Sequence, residues 1–488
     1  TSLVTDMSYM FAYCNSITEL NLKNFKTGKV TNLYYMFAYD QYLLSLDLST
    51  FETASVNNMA HMFDNCKRMS SLAFDENKFV TNSVKDMSFM FQGCSALKQL
   101  SLSKFNTENV IDMRHMLSEM TKLESLDISN FSTGNVENMS YMFYKNENLL
   151  KLEFPQSFTT NNVKDMSYMF TGCSKLVTLD LNNFATPNLV KMDKMFNSLK
   201  SLQELKIDNF KTDNIENMSH LFEYCSSLKT LDLPSFKTTK VTSMSYMFSK
   251  CEQLEELKII YFDTSSVTDM SNMFSDNRKL TSVDLSNFST DKVTDFSHMF
   301  SNCESLKELD LQKFKTQNAV DMSDMFNGCS SLSSLTQNFD VSNVKDMTNM
   351  FYDCSSLTNL DLNNFETSSL VKANSLFYGC SKLDTLNVNI FDTSRMTSMD
   401  YMFFKCSSLT YLDLSSFVTD NVQSMQFMFN GCSGLESLNL KKFNTQNCTT
   451  FTSMFTSTKN LKKITINREN NEKLLAKINN EVIMVYEN

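Results

Sequence analysis

With 488 residues, 41 Phe, 34 Met and no Trp, the chain carries ample apolar material for a core, and its 8 Gly and 3 Pro are too few for a linker-rich or hairpin-rich fold. A net charge of −11 speaks against nucleic acid, which needs a basic stripe to neutralise phosphates, and against a polybasic membrane-surface role. No apolar run approaches the roughly 18–20 residues needed to span a bilayer.

The chain starts at Thr1, without Met or a signal-type apolar segment, which reads as a processed or trimmed product entered in mid-repeat. Met10-Phe11 is the first of about eighteen pairs that recur to Met454-Phe455, with conservative replacements at Met116-Leu117, Leu221-Phe222 and Leu376-Phe377. Successive pairs lie 26 residues apart almost throughout, with local spacings of 28, 27 and 25. The stretch from Phe25 to Thr50 represents the unit: Phe25, Thr27, Val30, Leu33, Met36, Phe37, then Leu43, Leu46 and Leu48. Such a period is the signature of a solenoid, in which one coil cannot bury its apolar face alone and stacking supplies the rest.

Two periodicities lie inside each unit. Leu46 and Leu48, two apart, share one face of a short strand. Met7, Met10, Phe11 and Cys14, at spacings of three, one and three, share one face of a helix of about two turns, with Tyr9 on the opposite side. Asp or Asn before the first Met (Asp6, Asn58, Asp86, Asp112, Asn138, Asp165, Asp269, Asp321) predicts a helix N-cap. Gly93, Gly172, Gly328, Gly379 and Gly431, with Asn65 and Asn302 at the same point, predict a positive-φ stop just before the Cys position. Two extra residues fall between Phe74 and Phe79 and one between Phe154 and Phe158, while one is missing between Leu335 and Phe339. All three sit at the turn leaving the strand, where a bulge is expected to leave the stacked ladder intact. The solenoid is therefore read over residues 1–466. Residues 467–488 form a C-terminal capping segment, with a polar helix near Glu469–Asn479 and a strand near Val482–Val485.

The string L-x-x-L-D-L-S-x-F-x-T-x-x-V-x-D-M-S-x-M-F-x-x-C resembles the repeat of BspA-like leucine-rich-repeat surface proteins, in their Met-Phe-rich form. Asp413, Leu414, Ser415, Phe417, Thr419, Val422, Met425, Met428, Phe429 and Cys432 show it clearly. The resemblance runs over essentially the full length. It implies a leucine-rich-repeat α/β solenoid, a right-handed superhelix with one short parallel strand and one short helix per coil. It also implies a bacterial cell-surface or extracellular protein engaged in adhesion or host-protein binding. No anchor is read in this chain.

Each column of the repeat was weighed as a site. Twelve of the 13 Cys share one position, Cys448 being the exception, and read as inward free thiols, because parallel side chains suit disulfide geometry poorly. Thr two residues after Phe (Thr27, Thr53, Thr107, Thr212, Thr290, Thr445) reads as a hydroxyl ladder that satisfies backbone. An acidic strand column contains Asp47, Asp127, Glu153, Asp180, Asp232, Asp284, Asp310, Asp361 and Asp413, interrupted by Lys206 and Lys258. It is either a solvated face or an acidic surface for a basic partner. The column before Met-Phe contains Tyr9, Tyr35, His61, Phe89, His115, Tyr141, Tyr168, His220, Tyr246, His298, Tyr401 and Phe427, including all four His. It is either ring stacking that shields the coils or a contact stripe, since exposed aromatics mark interfaces. No catalytic motif, cofactor loop or metal-ligand spacing is read. The expected function is a non-enzymatic binding module for a protein or glycan on a host or neighbouring cell. The alternative is a structural protein that self-associates laterally or end to end.

Overall fold

The computed structural model describes residues 1–486 and falls into two compact units, Thr1–Lys240 and Val241–Asn488. Each is a β-solenoid, and together they wind about 16 turns. The eighteen coils expected from the Met-Phe pairs are thus about 16 turns. In unit 1 the strands are β1 (Ser45–Asp47), β2 (Ser71–Ala73), β3 (Gln99–Ser101), β4 (Ser125–Asp127), β5 (Thr178–Asp180), β6 (Glu204–Lys206) and β7 (Thr230–Asp232). They pair in parallel as β1–β2, β3–β4 and β5–β6, in a register that sets Leu46 beside Leu72 and Leu179 beside Leu205. Unit 2 holds β8 (Glu256–Lys258), β9 (Glu308–Leu311), β10 (Ser334–Gln337), β11 (Tyr411–Asp413), β12 (Ser437–Leu440) and β13 (Lys463–Ile466). These are followed by α1 (Glu472–Leu475) and β14 (Ile483–Tyr486). There β9 pairs with β10, and β11 to β14 form one four-stranded parallel sheet. The polar helix expected near Glu469–Asn479 is thus a single turn, and the final strand lies one residue later than expected. Glu487 and Asn488 lie outside the described residues.

The expected helix in each coil is absent. The one described α-helix is α1; the segment from the Asp6 position to the Cys14 position is a succession of tight turns. The reason lies in two backbone columns with positive φ, four residues apart. Tyr9 and Tyr13 stand at 56° and 62°, Tyr35 and Tyr39 at 57° and 64°, and the pattern repeats through Ser453 and Ser457 at 52° and 61°. A left-handed residue cannot continue a right-handed helix. It does turn alternate N–H groups along the stacking direction. Tyr9, Phe11 and Tyr13 donate to the Tyr34, Met36 and Ala38 carbonyls of the next coil at 2.9 Å each. The intervening Met10, Ala12 and Cys14 close i→i−3 turns on Met7, Tyr9 and Phe11. A short isolated helix leaves most of its terminal N–H and C=O groups unpaired, whereas this arrangement pairs them coil to coil. The expected N-caps are Asx turns instead: Asp6 Oδ1 accepts from Ser8 N–H at 2.8 Å, and Asn58 Oδ1 from Ala60 N–H at 2.9 Å. The positive-φ glycines do occupy the left-handed region, Gly93 at 67° and Gly172 at 78°.

The inward side is an apolar column core. Leu33, Met36, Phe37, Leu43 and Leu48 are fully buried, and their counterparts repeat coil after coil. Phe37 stacks on Phe63 at 5.8 Å and Phe300 on Phe326 at 5.8 Å, both nearly parallel. The Thr ladder is present: Thr107 Oγ1 donates to the Ser132 carbonyl at 2.8 Å and accepts from Ser132 N–H at 2.8 Å. The cysteines are free and, apart from half-buried Cys14, buried. They do more than fill space: Cys66 and Cys329 Sγ donate to the Phe37 and Phe300 carbonyls, each at 3.1 Å. Asn146 takes the same role, donating to the Leu117 carbonyl at 2.8 Å.

The insertions behave differently from expectation on the two sides of a coil. Across the extra residues of 74–79, His61 and Phe63 still donate to Ser88 and Met90, at 2.9 Å each. On the strand side, β2 and β3 belong to separate two-stranded sheets, as do β4 and β5 on either side of the Phe154–Phe158 insertion. The strand ladder is thus not continuous across either bulge, and it also lapses between β6 and β7, where no residue is inserted. The shortened turn after Leu335 follows β10, which keeps four residue pairs in register with β9 but pairs with no strand of the coil beyond it among the described residues.

Candidate interaction surfaces

Every residue of the aromatic column has positive φ and stands in a turn rather than on a helix face. In unit 1 this builds a continuous pile of seven rings. Tyr9–Tyr35, Tyr35–His61, His61–Phe89, Phe89–His115, His115–Tyr141 and Tyr141–Tyr168 have centroid separations of 5.0, 4.1, 4.3, 4.6, 4.4 and 4.4 Å. All are within about 20° of parallel. Lys194 ends the pile, its Nζ 5.6 Å from the Tyr168 centroid. The ring faces are spent on each other, while edges and hydroxyls remain half-exposed. Burial, with the neighbouring Arg114 guanidinium, pushes the His115 imidazole down to about 4, so it sits in the pile as a neutral ring. His61 Nδ1 lies 2.7 Å from Asp64 Oδ2, and His220 Nδ1 2.7 Å from Glu223 Oε2. His298 has a looser acidic neighbour, Asp324, at 3.7 Å. The four His are thus held singly, and no group of three or more metal-ligating side chains occurs among the described residues.

In unit 2 the same column is broken by Asn272, Asp324, Asn349 and Ser375. Tyr246 and His298 stand among these polar residues, and both are half-buried. Tyr401 and Phe427 stack at 4.8 Å. A neighbouring column, absent from the sequence reading, supplies a second short pile, Tyr352–Tyr378–Phe404, at 4.2 and 4.5 Å.

The acidic strand column is solvent-exposed except at half-buried Asp413. Its carboxylates nevertheless have structural work. Asp47, Asp127, Asp180, Asp284, Asp310, Asp361 and Asp413 each accept the N–H two residues on, at 2.9–3.1 Å, and so cap the turn leaving the strand. The hydroxyls and N–H groups of Ser49 and Ser129, and the N–H and hydroxyl of Ser286, hold the Asp47, Asp127 and Asp284 carboxyls below the usual carboxylate range. Glu153 pairs instead with Lys151 at 2.6 Å, and Lys206 lies 3.7 Å from Asp180 and 3.4 Å from Glu204. Asp232 is exposed at the end of β7.

The family model described as "Mycoplasma protein of unknown function, DUF285" matches in overlapping segments, residues 1–73, 68–176, 150–257, 226–333, 305–387 and 374–477. The chain belongs to the DUF285 family. No curated protein matches it. Among solved structures, this DUF285 chain is similar to a leucine-rich cell-surface protein of Faecalibacterium prausnitzii, at 13% identity and a TM-score of 0.33, covering 62% of this chain and 75% of that one. It is also similar to a leucine-rich-repeat protein of Eubacterium ventriosum, at 16% identity and a TM-score of 0.28, covering 73% and 82%. A third is a Leptospira interrogans leucine-rich-repeat protein, at 14% identity and a TM-score of 0.24, covering 97% and 96%. No helix among the described residues of this DUF285 chain is long and apolar enough to cross a membrane.

Three concavities escaped the sequence reading. One, of about 650 Å³, opens at the β2/β3 interruption over Leu72, Phe74, Phe79 and Phe105. Another, of about 550 Å³, opens where Phe154 and Gln156 interrupt the strands. The spacing irregularities were their signal. The third, also about 550 Å³, lies on the turn side around Tyr144, Lys145, Tyr168, Gly172, Lys194 and Lys200. Its signal was the replacement of a ring by Lys194 in the aromatic column.

Proposed function

We propose that this DUF285 chain is a non-enzymatic binding module of the bacterial cell surface, of the BspA-like kind, which recognises a protein or glycan partner through the turn side of its coils. The observation that carries this reading is the seven-ring pile of unit 1. It fixes Tyr, His and Phe edges and phenol hydroxyls in one half-exposed row, ordered before any partner arrives. Preordered aromatic groups lose little conformational freedom on binding, which is why such residues dominate recognition surfaces. The acidic strand column is the weaker candidate, because most of its carboxylates are already engaged in capping turns.

The test is binding of the purified chain to an array of surface proteins and glycans, beside Tyr141→Ser/Tyr168→Ser and Asp232→Lys/Asp284→Lys variants. Serine already stands in the ring column at Ser375 and Ser453, so the first variant retains the backbone. Saturable binding that falls at least about tenfold in the Tyr variant alone is expected. Loss only in the Asp variant would move the contact to the strand side. Absence of any binding, with concentration-dependent oligomers by light scattering that disappear in the Tyr variant, would replace recognition by self-assembly.

A further inference from the structure

The concavity at the end of the ring pile is bordered by basic, hydroxyl and amide side chains. Three lysines, Lys145, Lys194 and Lys200, border it in a chain whose net charge is −11. None of the three makes an ion pair among the described residues, whereas Lys151, Lys164, Lys206 and Lys372 all do. Two of the ammonium groups are positioned by rings: Lys145 Nζ lies 5.0 Å from the Tyr144 centroid and Lys194 Nζ 5.6 Å from that of Tyr168. Of the carboxylates nearby, Glu119 is half-buried and acts on Lys145, and Glu223 is nearly buried and held by Asn197 Nδ2 at 2.9 Å and His220 Nδ1 at 2.7 Å. Only Glu147 faces solvent.

The dip itself comes from Gly172. It stands in the second positive-φ column between Lys145 of the previous coil and Ser198 of the next. A Cβ there would meet the Lys145 stem at 3.3 Å, so the missing side chain makes the room. The remaining lining is Ser174, Ser198, Asn197 and the two phenols, with Thr171 Oγ donating to the Lys194 carbonyl at its base. Glycine in this column is insufficient by itself. Gly93 lies between Asn65 and Glu119 in the same column, where Gly172 has Lys145 and Ser198.

Hydroxyls, amides and phenol edges around ammonium groups that lack a close carboxylate suit a hydroxylated ring carrying an anion. They do not suit the apolar anchor that usually centres a protein hot spot. From this we infer that the concavity around Gly172 binds an anionic sugar, with Lys145, Lys194 and Lys200 pairing its carboxylate or sulfate and the serine, asparagine and tyrosine groups its hydroxyls. This rests on the recognition reading above and gives it a ligand class and an address.

The test uses the full chain, titrated with a sulfated oligosaccharide, a uronic-acid oligosaccharide, the neutral parent sugar and a DNA duplex. One variant is Lys145→Gln/Lys194→Gln/Lys200→Gln. A second, Gly172→Asn, fills the dip with a residue the same column holds at Asn65 and Asn302. A charge-matched control is Lys29→Gln/Lys85→Gln/Lys122→Gln, all exposed in the same unit. The expected result is saturable binding of one anionic sugar, weakened by salt, unmatched by the neutral sugar or DNA, and reduced about tenfold or more in the first two variants only. The preferred sugar tells carboxylate from sulfate. Equal loss in the control triple, or equal binding of DNA, would reduce the site to general polyanion attraction and overturn it. No anionic-sugar binding would overturn it too. If array binding persisted and was lost in the Tyr141/Tyr168 variant, the recognition reading would survive without this site.

Discussion

The two sides of a coil are built to different tolerances. On the turn side of unit 1, the ring column donates an N–H to the next coil at every step from Tyr9 to Tyr168, at 2.8–3.1 Å, regardless of the insertion at 74–79. On the strand side the same stretch breaks into the pairs β1–β2, β3–β4 and β5–β6. The difference teaches where coil-to-coil specificity lies. The turn side fixes the backbone through paired left-handed residues and Asx turns, so its register cannot slip. The strands are mostly three residues long, set one buried or half-buried Leu between exposed neighbours, and pair discontinuously.

The largest expected effect breaks the turn side. His115→Val places a β-branched side chain at φ 54° and removes two ring contacts. We expect about 3 kcal/mol of destabilisation by denaturant unfolding, against about 1 kcal/mol for His115→Asn, which tolerates that backbone. Equal losses would show that stacking, not backbone conformation, sets the register.

That distinction also explains what the sequence made legible. The Met-Phe period, the inward Leu, Met and Phe columns, the Thr ladder and the positive-φ glycines could all be read directly. The helix could not be told from what replaced it, because consecutive i→i−3 turns give Met7, Met10 and Phe11 the same three-residue spacing as a helical face. The discriminating signal was weaker: Asn272, Asp324 and Asn349 share a column with Tyr and His, and no Val, Ile or Thr occurs in either left-handed column. Asn and Asp tolerate that conformation and β-branched residues do not. Of the candidate surfaces, the ring column was visible as a pattern, but its stacking was not. The clefts depended on how two insertions and one glycine open the stack, which spacing marks without describing.

A smaller effect sharpens the comparison from within the Cys column. Asn146 Oδ1 accepts from Met120 N–H at 3.0 Å while its Nδ2 donates to Leu117. At the equivalent position Asp40 Oδ1 accepts from Cys14 N–H at 2.8 Å, but the buried Oδ2 has no hydrogen-bond partner. Burial pushes this carboxyl up to about 6 from its usual 3.8. The folded chain therefore holds the proton more tightly than the unfolded one. The associated stability is present below about pH 4 and is lost as pH rises through about 6. Asp40→Asn should stabilise the protein by about 1–2 kcal/mol at pH 7.5, with the gain vanishing towards pH 4. Unfolding curves for both chains at the two pH values check it, and a pH-independent difference would refute the assignment.

The smallest effect is expected on the strand side. Asp127→Ala removes one exposed turn cap, the bond from Ser129 N–H, at a cost of about 0.5 kcal/mol. A loss as large as that of His115→Val would mean that the strand side fixes the register after all.

At regularly spaced coils the Thr hydroxyl couples one coil to its successor through the same two backbone atoms: Thr107 to Ser132, Thr186 to Lys211, Thr290 to Lys315 and Thr393 to Val418. Since the joint is chemically identical at these four places, the coils it links carry no label saying which neighbour they belong to. Within a unit, a 26-residue segment cut out between equivalent threonines leaves two surfaces that still mate. The same joint accepts a duplicated segment. Such a molecule can shorten or lengthen in whole-coil steps without inventing new contacts, and its surface features are displaced along the stack intact.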